Sequence, residues 1–221
     1  MGRQRPLLAD VMAMAGLAAL YHLHTRPWMY TWGARDDELT TSLPGDELVA
    51  GDTIRTTRAV TIDAPARDVW PWLAQIGEGR GGFYSYWPLE RAVGADIHNA
   101  DVIHPEWQHL EVGDTIWLAR RYGPVARQIV AAVAAESHLV LMSPADFERV
   151  RHGERAGGYW SFVLRPEGGG TRLLVRGSGT PVGRFWFDIP HFIMEQKMMR
   201  GIAERAQRTR QRAAVEGRLG V

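Results

Sequence analysis

The densest collection of side chains able to bind or react lies between Gly79 and Asp114, in GRGGFYSYWPLERAVGADIHNADVIHPEWQHLEVGD. Three chemistries compete for it. A metal site would draw on His98, His104 and His109 with Asp96, Asp101 or Glu106. The histidine spacings match neither a helical i,i+4 pair nor an H-E-x-x-H pattern, so no metal is expected. A phosphate or dinucleotide site would use GEGRGG, Gly77 to Gly82. Those glycines follow a helical pattern instead of joining a strand to a helix, and the P-loop Lys and Ser/Thr are missing. The third chemistry is the wall of a pocket. Gly81 and Gly82 permit a tight turn that would aim Phe83, Tyr84, Tyr86 and Trp87 at a cavity mouth, with His98 nearby. Tyr and Trp combine an apolar body with a polar tip, which suits orienting a mostly hydrophobic ligand.

Few charged residues elsewhere could act inside such a pocket. Arg58 shares a strand face with Val60 and Ile62, so it either enters the cavity or pairs with a carboxylate at its rim. Glu90 shares a helix face with Tyr86 and is the candidate catalytic acid or base, provided that burial raises its pKa; a surface salt bridge is its competing fate. Arg172 and Arg176 alternate on one strand face, where solvent-facing ion pairs are expected. Trp117 and Trp160 fall in mid-strand and are assigned to the inner face. No G-x-S-x-G element offers a nucleophile.

The elements that must position these residues follow from periodicity. TIRTTRAVTIDA, from Thr53, alternates with Ile54, Thr56, Arg58, Val60 and Ile62 on one face, which predicts a strand. Val69, Trp70, Leu73 and Ile76 recur at helical spacing up to Gly77. A second short helix is expected from about Ser85 to Gly94, with Pro88 in its first turn. TIWLAR, VARQIVAAVAAE, HLVLMS, GYWSFVLRP and TRLLVRGSG then follow as an antiparallel meander. A long helix closes the domain from about Asp188, as N-cap, to about Val215. Its inner stripe is Ile189, Phe192, Gln196, Met199, Ile202 and Ala206, with Met194, Met198 and Met199 forming a pliable wall. A curved sheet with such a helix across its concave side is an α+β helix-grip arrangement, which leaves a cavity between the two.

Composition narrows the function classes. The 221 residues suffice for one buried domain with appendages. A net charge of +1 makes nucleic acid a poor partner. The absence of Cys excludes disulfides, thiolate nucleophiles and Cys-ligated metals. Nine Trp imply a deep core or a lined apolar cavity.

Residues 1–26 carry Arg3, Arg5, Pro6 and the apolar run Leu7 to Leu23, interrupted by Asp10. Two readings stand open: a helix packed on its own domain or lying on a membrane surface, and a membrane-spanning anchor. The location is accordingly cytoplasmic or membrane-associated. Trp28, Tyr30 and Trp32 would suit an interfacial aromatic belt or a fastening to the domain. Residues 27–52 include the acidic, aperiodic DDELTTSLPGDELVAG and read as a linker or strap. Residues 53–216 form the main domain and 217–221 a tail.

Thr53 to Ala213 resembles the SRPBCC superfamily, which comprises START-like and polyketide cyclase/dehydratase-like proteins. The resemblance rests on TRAVTIDAPARDVWPWLAQIG, RGGFYSYWPLERAVGADIHNAD, PEWQHLEVGD and TRLLVR, together with the lead-in RPW…WGA…LPGD. It implies a helix-grip fold with an internal hydrophobic cavity, and it carries no catalytic residues to transfer. The expected function is binding of a small polyketide-, lipid- or isoprenoid-like molecule by Arg58, Phe83, Tyr84, Tyr86, Trp87, His98, Trp117, Trp160, Phe192 and Met199, without a cofactor. The alternatives are a cofactor-independent cyclase, dehydratase or hydratase using Glu90, and a non-catalytic subunit of a membrane complex.

Overall fold

Six antiparallel strands form one sheet in the order β1-β6-β5-β4-β3-β2. They are β1 (Arg55–Ile62), β2 (Thr115–Trp117), β3 (Arg127–Ala134), β4 (His138–Met142), β5 (Tyr159–Glu167) and β6 (Gly170–Ser178). The computed structural model describes residues 4–219 other than 87, 89, 90, 92, 93 and 180. Strands β2 to β6 run as a meander, and the first strand returns to pair with the last, Arg58 opposite Val175. The β5–β6 hairpin turns through Gly168 and Gly169, both at positive φ. Two such residues give the turn whose twist matches the flanking strands.

Two helices lie against the concave face: α4 (Ala66–Ala74) and the long α6 (Phe185–Leu219). Val69, Trp70, Trp72 and Leu73 of α4 join Met198, Met199, Ile202 and Ala206 of α6 in one core with Ile62, Leu141, Phe162, Leu173 and Val175 of the sheet. This is the helix-grip arrangement. The long helix approaches the Gly81–Ser85 loop so closely that a Cβ at Gly201 would lie 2.5 Å from the Tyr84 carbonyl oxygen. Asp188 is not the N-cap: the helix begins at Phe185, and Asp188 is buried in its first turn, accepting from the Gly183 amide. Ile189 departs from the expected stripe and faces solvent, since the buried row runs through Asp188, Phe192, Glu195 and Met199 at spacings of three and four. One helix not anticipated from periodicity, α5 (Pro144–Arg151), starts at a capping Ser143 whose hydroxyl accepts from the Asp146 amide.

The convex face is covered as well. Residues 33–49, which include the short α3 (Asp36–Thr40), lie across β1, β6 and β5. Leu43 packs with Ala59, Val163 and Leu174 beneath them. Arg172 and Arg176 are not solvent-facing: both are buried under this strap. Arg172 donates to both oxygens of Glu38, at 2.7 and 2.8 Å, and to the Gly33 carbonyl at 2.6 Å. Arg176 pairs with Asp46 and donates to Thr57 and to the carbonyls of Thr41 and Glu38. An aperiodic acidic segment thus becomes ordered because its carboxylates and turn carbonyls meet two buried guanidinium groups.

The N-terminal segment is a helix of three parts: α1 (Gln4–Leu20), a π-turn (Tyr21–Thr25) and α2 (Arg26–Tyr30). Among the described residues its C-terminal end fastens it to the domain. Met29 is buried, Tyr30 donates to Asp188 at 2.7 Å, and the Trp28 ring meets Phe192 edge-on. The expectation of a helix packed on its own domain fails, because Val11, Met12, Met14, Leu17, Leu20 and Leu23 are all more than half exposed. The spanning anchor is not met either: no helix among the described residues is long and apolar enough to cross a membrane.

Candidate functional site

Between the sheet and α6 lies a cavity of about 590 Å³. Phe83, Ala95, Ile97, Leu118, Trp160 and Met198 supply much of its apolar wall, and its mouth runs past Gly179, Pro181, Val182, Trp186 and Phe187. Most of the wall is hydrocarbon and aromatic. Polar side chains also reach it, among them Ser85, Gln128, Asp146 and Ser178; where α6 crosses β1 and β5 the lining includes His191 and Glu195.

Glu195 is buried within a dense set of partners. Its Oε2 accepts from Arg58, which is itself buried, and its Oε1 accepts from the Trp160 indole N–H at 2.7 Å. Arg58 also donates from Nε to the Met29 carbonyl at 2.7 Å, and its guanidinium lies over the Phe192 ring. The second Nη1 hydrogen of Arg58 points to His191 Nδ1 at 3.3 Å. A guanidinium has no acceptor, so Nδ1 must carry the lone pair and the neutral ring holds its hydrogen on Nε2. That Nε2 lies 3.8 Å from Glu195 Oε1, too far for a hydrogen bond. The imidazole is fixed by stacking on Phe187, ring centroids 4.7 Å apart, and by the Trp160 face beyond.

Electrostatics follow from burial and from these partners. Burial alone would raise the Glu195 pKa. The charge of Arg58 and the hydrogen bonds from Arg58 and Trp160 outweigh it and hold Glu195 ionised, below the usual carboxylate range. Burial lowers the pKa of His191, with Arg58 acting in the same direction and Glu195 and Asp188 opposing. At neutral pH the cluster is therefore one cation, one anion and one neutral imidazole, with no net charge facing the cavity.

The residues singled out in the sequence scatter around this site. Phe83 and Trp160 line the cavity, and Arg58 stands behind Glu195 as its counter-ion. Tyr84 turns away into the core at a positive φ of 56°. Its hydroxyl donates to the Trp72 carbonyl and accepts from Gln75, and burial pushes its pKa up to about 12. Tyr86 is solvent-exposed on the outside, and His98 is an exposed loop residue near Asp96. Trp117 stands outside the lining, between the cations of Arg120 and Arg127. Phe192 and Met199 are core residues of α6, while Met194 and Met198 reach the cavity. Glu90 and Trp87 lie outside the described residues. His104 is occupied with Glu106 and Trp107, and among the described residues no three potential ligands converge on a metal position.

Sequence reasoning missed Glu195 and His191. A signal existed: Glu195 falls three residues after Phe192 and four before Met199, on the buried row, and His191 precedes it by one helical turn.

No family model matches this chain, and no curated protein matches it. Among solved structures it is similar to protein NE0264 from Nitrosomonas europaea at 13% identity, covering 76% of this chain and 99% of that one, with a TM-score of 0.47. It is also similar to the Aha1 dimer from Colwellia psychrerythraea (14% identity, 68% and 92% covered, TM-score 0.39). CalU16 from Micromonospora echinospora is a further likeness (17% identity, 76% and 89% covered, TM-score 0.34). The helix-grip assignment rests on the strand order and the helix across the concave face.

Proposed function

We propose that this protein is an SRPBCC-type carrier or receptor that holds one small, mostly apolar molecule between its sheet and α6. The observation that supports this most directly is the cavity: about 590 Å³ with a predominantly apolar wall and a few polar groups, His191 and Glu195 among them. Those are the volume range and the chemistry of small-molecule sites. The test is native mass spectrometry of the purified chain, with titration of an apolar fluorescent probe read through the probe's own emission. A co-purified molecule or saturable probe binding is expected. A chain that carries nothing and binds no apolar probe would end this reading. A cyclase, dehydratase or hydratase acting on the same class of molecule is the enzymatic version, and it would rest on Glu195 and His191 in place of Glu90.

A second reading concerns location and is favoured by the bare apolar helix. Residues Val11 to Leu23 expose large side chains around the helix, and α2, continuous with them, touches the loop that borders the cavity mouth: Arg26 and Ile54 both lie against Gly183. Phe185 and Trp186 are exposed beside that mouth. We propose that this helix inserts in the interface of a lipid bilayer and presents the mouth to it. Flotation of the full chain with phosphatidylcholine vesicles tests this, and a chain that stays at the bottom of the gradient rules it out.

A further inference from the structure

The polar pole of the cavity has a definite hydrogen-bonding demand, and it is unmet. Among the described residues His191 Nε2–H has no hydrogen-bond acceptor in reach, and Glu195 Oε1 offers a carboxylate acceptor 3.8 Å away. One oxygen atom placed between them can lie within about 2.9 Å of both, the normal N–H···O and O–H···O range. To satisfy both it must accept from the imidazole and donate to the carboxylate. A hydroxyl does this. A carbonyl or ether oxygen would set its lone pairs against the Glu195 charge, and a carboxylate would add a second anion to a cluster already neutral.

We infer that the cavity takes an uncharged apolar molecule bearing a hydroxyl, an alcohol or phenol, bound end-on with its O–H donating to Glu195 Oε1 and its oxygen accepting from His191 Nε2–H. The assignment rests on the cavity-binding reading above and specifies its ligand class. Three features fix the pair. Arg58 holds His191 in the Nε2–H tautomer and neutralises Glu195, and Trp160 ties Glu195 from the other side. Phe187 and Trp160 clamp the imidazole plane. Burial, supported by Arg58 from β1 and opposed by Glu195 and Asp188 on the imidazole's own helix, keeps the ring neutral near pH 7. Ser178, whose buried hydroxyl has no hydrogen-bond partner among the described residues, also borders the cavity.

The experiment is calorimetric titration of the full chain at pH 7 with three bicyclic probes of one shape: 2-naphthol, 2-methoxynaphthalene and 2-naphthoate. A hydrogen bond to a charged acceptor should favour naphthol over the methyl ether by about tenfold or more, and naphthoate should bind weakest. In His191→Leu the preference for naphthol should collapse while affinity for the methyl ether stays. His191→Gln, which restores an N–H donor, should recover part of it. Equal affinity for naphthol and its ether in the native chain, or naphthoate binding best, overturns the hydroxyl assignment while leaving the cavity reading intact. If His191→Leu weakens all three probes equally, His191 only shapes the wall and the assignment fails. If no probe binds the native chain, both readings fall together.

Discussion

The two faces of the sheet each bury arginine–carboxylate pairs, and they differ in what is left over. On the convex face Arg172 and Arg176 meet Glu38, Asp46 and a series of strap carbonyls. Tyr159 adds a hydrogen bond to Asp46. On the concave face Arg58 and Glu195 are just as buried, yet an imidazole N–H and a carboxylate oxygen still face a cavity. A buried ion pair that is fully matched fastens one segment to another, whereas one with spare capacity beside a void is a binding site. Removing a partner from either should be severe, because it strands a charge out of water.

Four measurements separate these roles. The largest effects are expected where a buried ion pair is broken, first on the convex face. Arg176→Met strands several buried carbonyls and leaves Asp46 with Arg55 as its remaining cation, and urea unfolding should show a loss of about 3 kcal/mol, with naphthol affinity unchanged in the folded fraction. A loss under about 1 kcal/mol would mean that the strap pair behaves like a solvent-screened one. Next, Glu195→Gln keeps an acceptor for Trp160 and Arg58 but removes the charge. It should cost about 3 kcal/mol and also abolish the preference for naphthol over its ether. Unchanged selectivity there would make Glu195 another fastening.

Acid should separate the faces by pH. His191 has a folded pKa below its unfolded value of about 6.5. The unfolded chain therefore takes up the proton first, and the stability gained from a neutral ring is full above about pH 6.5 and lost as pH falls through the folded value. Glu38 behaves differently. Burial would raise its pKa, but the Arg172 hydrogen bonds, the Arg35 amide and their charges hold it below the usual range. Its contribution is complete above about pH 4.3, the ordinary Glu value, and declines only below that. Thermal melts across pH should show an early loss removed by His191→Gln and a later one reduced, though not abolished, by Glu38→Gln, since Glu195 is also held below the usual carboxylate range. A single loss insensitive to His191→Gln would contradict the concave assignment.

The smallest effect on stability is expected in the N-terminal helix. Replacing Val11, Leu17 and Leu20 together by Ser alters exposed positions and should shift stability by no more than about 0.5 kcal/mol, while vesicle flotation is lost. Truncation should stop before Arg26. A cut at Asp36 would remove the Met29 carbonyl from Arg58 and Tyr30 from Asp188.

Strand periodicity, helix spacing and turn residues determined the fold class, because alternation in β1 and the helical row from Phe192 to Ala206 are local consequences of backbone geometry. The mid-strand position assigned Trp160 to the inner face, and the Gly81-Gly82 turn aimed Phe83 at the cavity. Tertiary structure decided the rest. Tyr84 and Phe83 are adjacent in sequence, yet one enters the core and the other the cavity, since the left-handed backbone at Tyr84 redirects its side chain. Arg172 and Arg176 alternate as surface residues do, and only the strap folding over them makes them interior. Glu195 and His191 lie on a legible helical row, but their chemistry depends on Arg58 and Trp160, which arrive from strands more than thirty residues away. Periodicity reports which face a residue occupies; the partner waiting on that face is set by the packing of distant segments.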